Sequence, residues 1–132
     1  MAVRLRTRLV LLVEDERAVR ELVAEVLRDE GYVVQEARDG VEAIAALDDL
    51  VSRPDLACVV LLDMMLPRAT GLDVLRYRAG QGLAVPVIAV SANNQMLAEA
   101  RRLGATTTMS KPFELEELLA LIKSCSQEGH GE

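Results

Sequence analysis

Three stretches of the chain are nearly unbroken apolar runs: residues 8–13 (RLVLLV), 56–62 (LACVVLL) and 85–90 (VPVIAV). Runs this short and continuous suit strands buried on both faces of a parallel sheet. Between the first two the period changes. Val19, Leu22, Val23, Val26 and Leu27 step by 3, 1, 3 and 1, one stripe of a helix that Gly31 stops. Residues 32–37 then read as a short strand, Asp39-Gly40 as a turn, and residues 41–51 as a second helix with Val41, Ile44, Leu47 and Val51 on one side. A loop holding Pro67 and Gly71 leads to a short helical stretch around Leu72, Val74 and Leu75, closed by Gly80 and Gly82. The pattern repeats after the run at 85–90, with a helix over 96–103 ended by Gly104, a weaker strand over 105–109, and a helix over 113–124 striped by Leu115, Leu118, Leu119 and Ile122.

The predicted strands start near residues 8, 32, 56, 85 and 105, 20 to 29 residues apart, the spacing of right-handed strand–helix–strand crossovers. This predicts one doubly wound α/β domain over residues 8–125 with no internal linker, and loose ends at 1–7 and 126–132. The chain's 132 residues suit a single domain, and its 51% hydrophobic content can fill one core.

Charge narrows the partners. Fifteen basic against 21 acidic residues leave a net charge of −6, which argues against a direct nucleic-acid binder held by the phosphate backbone. Aromatics are limited to Tyr32, Tyr77 and Phe113, too few for base-stacking platforms. The apolar runs are too short for a bilayer, and the arginines at 4, 6 and 8 precede no cleavage site, so neither a membrane span nor a signal peptide is expected. Cys58 and Cys125 form no disulfide framework or paired-thiol metal motif, which fits a cytoplasmic setting. The single histidine, His130, lies in the polar tail, so the body of the fold must work with carboxylates, hydroxyls and lysine.

In an open parallel sheet the functional crevice lies beyond the carboxyl ends of the strands. There the sequence places Glu14, Asp15 and Glu16 after the first strand, Asp63 after the third, Ser91 after the fourth, and Ser110, Lys111 and Pro112 after the fifth. Glu16 reads as a cap of the first helix, a role open to Glu14 and Asp15 as well. Asp63 has no helix to cap at once, and three converging carboxylates would raise a pKa or demand a hard divalent cation such as Mg²⁺. A carboxylate so placed can act as nucleophile toward a phosphoryl group, with Lys111 and Ser91 answering the phosphoryl oxygens. Taken singly, a lysine before proline reads as solvated and a serine after a strand as a cap. Their placement at successive strand ends favours the shared site.

Four segments, LLVEDE (11–16), LLDMMLPRATG (61–71), VIAVSA (87–92) and MSKPF (109–113), stand in the order and spacing of the receiver domain of two-component response regulators, which the chain resembles from about residue 8 to residue 125. The stand-alone chemotaxis regulator is of the same kind. The resemblance implies a flavodoxin-like three-layer sandwich with five helices around a five-stranded sheet in the order 2-1-3-4-5. It implies that Asp63 accepts a phosphoryl group from a phosphohistidine on a sensor histidine kinase or phosphotransfer protein. It further implies that Asp15 binds Mg²⁺ directly, Glu14 through water and Met65 by its backbone carbonyl, while Lys111 pairs with the phosphoryl group and Ser91 moves to bond it. A cis Lys111-Pro112 bond follows from the same likeness, as do Met65 and Asn93 flanking the phosphoryl site. The product is a signalling switch, catalysing only its own phosphoryl transfer and dephosphorylation and read by a downstream protein or an output domain.

One position departs from the pattern. Three residues before Lys111, where the family commonly has an aromatic that swings inward, stands Thr108. Arg101, Arg102, Glu114 and Glu117 are candidates for pairing in a weak homodimer, against the plainer reading of a solvated charged face. Among other functions for such a fold, a phosphorylation-independent interaction module would be expected to lack an acid or the lysine. A flavin or small-ligand binder would need a phosphate-cradling loop where Glu14, Asp15 and Glu16 stand. A phosphatase with a nucleophilic aspartate would want an acid at the position of Met65.

Overall fold

The computed structural model describes residues 8–53 and 56–128. Five strands and five helices alternate along it: β1 (Arg8–Val13), α1 (Arg17–Asp29), β2 (Val33–Ala37), α2 (Gly40–Leu50), β3 (Ala57–Asp63), α3 (Gly71–Gly80), β4 (Val87–Ser91), α4 (Asn94–Arg102), β5 (Thr107–Ser110) and α5 (Leu115–Glu128). All strand pairs are parallel, in the order β2-β1-β3-β4-β5, so the winding reverses at β1, between β2 and β3.

Alternation along each strand builds the three layers, because successive side chains leave opposite faces of a sheet. Leu9, Leu11 and Val13 of β1 with Val60 and Leu62 of β3 meet Ala43 and Leu47 of α2, Val74 and Leu75 of α3 and Ala100 of α4. Val10 and Leu12 with Val59 and Leu61 face the other way, onto Val23, Ala24 and Leu27 of α1 and Leu118 and Ile122 of α5. The central strands are apolar on both faces because helices cover both. β2, at the edge, carries the exposed Val33 and two polar residues, Gln35 and Glu36.

Helix details differ from the sequence reading in instructive ways. Leu22 is 53% exposed, and Ala24 takes its place beside Val23 and Leu27. In α2, Val41 and Val51 lie outside, and the buried face is Ala43, Ala46, Leu47 and Leu50; small alanines let the helix sit close to the sheet. Asp39-Gly40 is no separate turn. Asp39 is the N-cap of α2, its side chain accepting from the Glu42 N–H, and Gly40 is the first helical residue. Glu16 holds the N-cap position of α1, yet its side chain makes no capping bond. Its N–H instead donates to Glu14 Oε2 at 3.1 Å. α5 continues to Glu128, past the expected end at 124. Of the ends expected to be loose, 1–7 and 126–132, residues 126–128 belong instead to α5; 1–7 and 129–132, and His130 with them, lie outside the described residues.

Candidate functional site

Strand register brings the predicted site residues to one edge. Val13 is level with Leu62, Asp63 with Val90, and Ser91 with Ser110. Glu14 and Lys111 each stand one residue beyond a strand end, and Asp63 and Ser91 are terminal strand residues. Continuing the alternation, Glu14 is in phase with Leu12, Asp63 with Leu61 and Lys111 with Met109, all on the face that packs against α1 and α5. Ser91 is in phase with Val87 and Ala89, on the opposite face.

Geometry follows that parity. Carboxylate oxygens of Glu14, Asp15 and Asp63 all lie within 4.8 Å of one another; Glu14 and Asp63 are buried and Asp15 is exposed. Lys111 Nζ donates to Asp63 Oδ2 at 3.3 Å and to Glu14 Oε1 at 3.4 Å. Asp63 Oδ1 accepts the Met65 N–H at 3.0 Å, which fixes the carboxylate against the loop after β3. Below it lies a shallow cleft, with room for little more than a water molecule, lined by Leu12, Val19, Val23, Leu61, Val90 and Phe113 together with Glu14 and Asp63. The carboxylates thus have an apolar floor on one side and water on the other.

Burial in this setting raises the Glu14 pKa above the ordinary carboxylate range, and the neighbouring charge of Asp63 raises it further. The Glu16 amide and Lys111 pull only part of the way back. Burial alone would lower the Lys111 pKa, but the charges of Asp63 and Glu14 outweigh it and the net shift is upward. Three crowded hard-oxygen donors, one of them held at an electrostatic cost, fit a divalent cation of the Mg²⁺ kind. They are the residues that could hold one.

Ser91 sits beside this cluster without joining it. Its Oγ accepts the Asn93 N–H at 3.0 Å, and its carbonyl accepts the Lys111 N–H at 3.1 Å. Asn93 is committed to capping α4, accepting from the N–H groups of Gln95 and Met96. The Lys111-Pro112 bond is cis, as the resemblance implied. Thr108 accepts a hydrogen bond from Arg101, so a polar tie between β5 and α4 occupies the position of the absent aromatic. Arg102 pairs with Glu99 on its own helix, so both arginines considered for a homodimer have partners within the chain.

Two contacts at the site were not foreseen. Arg20 of α1 donates from Nη1 to the Glu14 carbonyl at 2.9 Å and to the Asp15 carbonyl at 3.5 Å, while its Nε donates to Glu36 of β2 at 3.2 Å. Arg68, in the loop after β3 with φ of 71°, pairs with the buried Asp39 at 3.5 Å. Nothing in the periodicity distinguishes Arg20 from its basic neighbours Arg17 and Arg28, since its partners are two backbone carbonyls and a carboxylate on another strand, brought to it only by folding.

Comparison with known proteins agrees with this architecture. The response regulator receiver domain family matches residues 10–123. Response regulator MprA of Mycobacterium tuberculosis is 42% identical over 118 residues, which cover 87% of this chain and 49% of that protein. The chain therefore spans about half the length of the curated relatives it matches. Among solved structures, the receiver domain of NtrX from Brucella abortus superposes with a TM-score of 0.78 at 32% identity, covering 89% of this chain and 98% of that one. The Vibrio cholerae chemotaxis protein CheY4 superposes at 0.75 with 28% identity, covering 90% and 98%. A family match across almost the whole described chain, on a sheet of the same order with its acids gathered at the carboxyl edge, places this protein in the response regulator receiver domain family.

Proposed function

We propose that this domain is a phosphorylation-dependent switch of a two-component or phosphorelay system, with Asp63 as the phosphoacceptor. The observation that carries the reading is the convergence of Glu14, Asp15 and Asp63 under one lysine amine. Glu14, Asp15, Asp63 and the Met65 backbone carbonyl would hold Mg²⁺. Once bound, the ion would supply positive charge against the carboxylates and the incoming phosphoryl oxygens.

An Asp63 carboxylate oxygen attacks phosphorus as the P–N bond of a phosphoimidazole on the donor protein breaks, and the released imidazole nitrogen takes a proton. Lys111, already within reach of Asp63 Oδ2, turns its ammonium to a phosphoryl oxygen and keeps the added charge compensated. Ser91 Oγ exchanges the Asn93 amide for the phosphoryl group. Because Asn93 caps α4, that exchange carries the chemistry into the loop and helix that follow. The donor is a sensor histidine kinase or a phosphotransfer protein. The readout is a downstream protein or an output domain, in a cytoplasmic setting, and the domain turns over no substrate besides its own phosphoryl group.

The test is intact mass after incubation with acetyl phosphate or phosphoramidate, with and without Mg²⁺, for the wild type and Asp63→Asn. The expected result is one labile phosphoryl adduct that needs both Mg²⁺ and Asp63. An adduct retained in Asp63→Asn would overturn the assignment. Absence of an adduct from folded, Mg²⁺-binding protein, with small donors and with a cognate kinase, would favour the phosphorylation-independent interaction module.

A further inference from the structure

We propose that Arg20 is a positioning residue for the cation site, holding the loop between β1 and α1 in the shape that aims Glu14 and Asp15 together; the inference rests on the reading of that site as a Mg²⁺-assisted phosphoacceptor. Glu14 is pinned on several sides. Its N–H donates to the Ala37 carbonyl at 3.0 Å, its Oε2 accepts the Glu16 N–H at 3.1 Å, and its Oε1 meets Lys111. Asp15 has an exposed carboxylate, so its direction depends on the backbone that carries it. Arg20 grips that backbone, through the Glu14 carbonyl at 2.9 Å and the Asp15 carbonyl at 3.5 Å.

The grip is anchored from outside the site. Arg20 Nε is held by Glu36 Oε1 on the edge strand, and Glu36 Oε2 accepts from Arg28 in turn. With only 15% of its side chain exposed, Arg20 is confined between α1 and β2. The planar guanidinium directs donors from two separate nitrogens, Nε to the carboxylate and Nη1 to the carbonyls, a fixed fork that the single nitrogen of an ammonium does not reproduce.

Charge and geometry make opposite demands here, which makes the role testable. A cation bonded to the backbone of two metal-ligand candidates repels a second cation, so by charge alone its removal would tighten Mg²⁺ binding. If Arg20 positions the carboxylates, its removal loosens binding instead. A merely structural tie between α1 and β2 would lower the melting temperature and leave the affinity of the folded protein unchanged.

The experiment is isothermal titration calorimetry of Mg²⁺ into the wild type, Arg20→Met and Arg20→Lys, each confirmed folded by circular dichroism and held well below its melting temperature. Groups that orient metal ligands are worth roughly ten- to a hundredfold in affinity, so Arg20→Met should bind Mg²⁺ about tenfold more weakly. Arg20→Lys, which keeps the charge and loses the fork, should also weaken it. With Mg²⁺ saturating, the limiting rate of phosphorylation by acetyl phosphate should return toward wild type. Equal or tighter binding by Arg20→Met overturns the inference; if that variant does not fold, wild-type affinity in Arg20→Lys does the same. A wild type that takes up no Mg²⁺ would overturn the functional reading and this inference together. Normal wild-type binding and phosphorylation beside unchanged Arg20 variants would overturn this inference alone.

Discussion

Glu14 is held at a cost, buried and beside the Asp63 carboxylate. Burial raises its pKa in the folded state above that of the unfolded chain, so the native state keeps the proton to higher pH. Stability therefore falls as pH rises from the ordinary carboxylate range through the folded pKa, and at neutral pH the penalty is in force. Glu14→Gln removes it while keeping an acceptor for the Glu16 amide, and should raise the Mg²⁺-free melting temperature at pH 7 by a few degrees while weakening Mg²⁺ binding. Calorimetric melting with and without Mg²⁺ reads both effects. Lys111 is the counterpart. Lys111→Met leaves Asp63 and Glu14 facing each other without a cation, so the metal-free protein should melt lower, and added Mg²⁺ should stabilise this variant by more than it stabilises the wild type. An increment no larger than that of the wild type would show that the lysine and the metal do not share one task. These residues were legible in the sequence because each stands at a strand end. The offset of Ser91 follows from the parity of its strand, and its bond to Asn93 depends on a loop whose conformation no periodic signal encodes.

The loop between β3 and α3, which carries Met65, rests on the start of α2. A Cβ placed on Gly40 would lie 2.0 Å from the Ala69 carbonyl oxygen, and one on Gly71 would lie 2.7 Å from the Met64 Cα. Contact between two backbones leaves no flexible side chain to give way, so Gly40→Ala should cost about 1–3 kcal/mol in urea unfolding. It should also shift the amide resonance of Met65, whose N–H donates to Asp63. Unfolding at the wild-type midpoint would mean that the loop yields freely. Asp39 fastens the same junction twice, as the N-cap of α2 and as the partner of Arg68. The elements themselves were readable because continuous apolar runs specify buried parallel strands. The buried face of α2 was misread because its contacts are made by Ala43 and Ala46, and periodicity is judged on bulky residues while close helix–sheet packing selects small ones.

Across the whole molecule the two halves of the core are separated by the sheet, α1 and α5 on one side and α2, α3 and α4 on the other. Cys58 of β3 lies within this packing, and burial pushes its thiol up to about 12, far from the thiolate needed for alkylation. Labelling of Cys58 by iodoacetamide at pH 8 should therefore be slow in the native protein and rise with urea along the global unfolding curve, as peptide mass spectrometry would show; rapid labelling without denaturant would contradict it. The alternation of strands and helices was accessible from spacing and the strand order from the family resemblance, whereas ties such as Arg78 were in neither, because their acceptors are backbone carbonyls brought close only by folding. Arg78 donates to the Val85 carbonyl at 2.8 Å and the Gly104 carbonyl at 3.2 Å, joining the approaches to β4 and β5 at the edge opposite Asp63. Its consequence is a one-way freedom: sequence drift at that far edge changes how long the scaffold survives without touching the carboxylates, so durability can be tuned while the message is left alone.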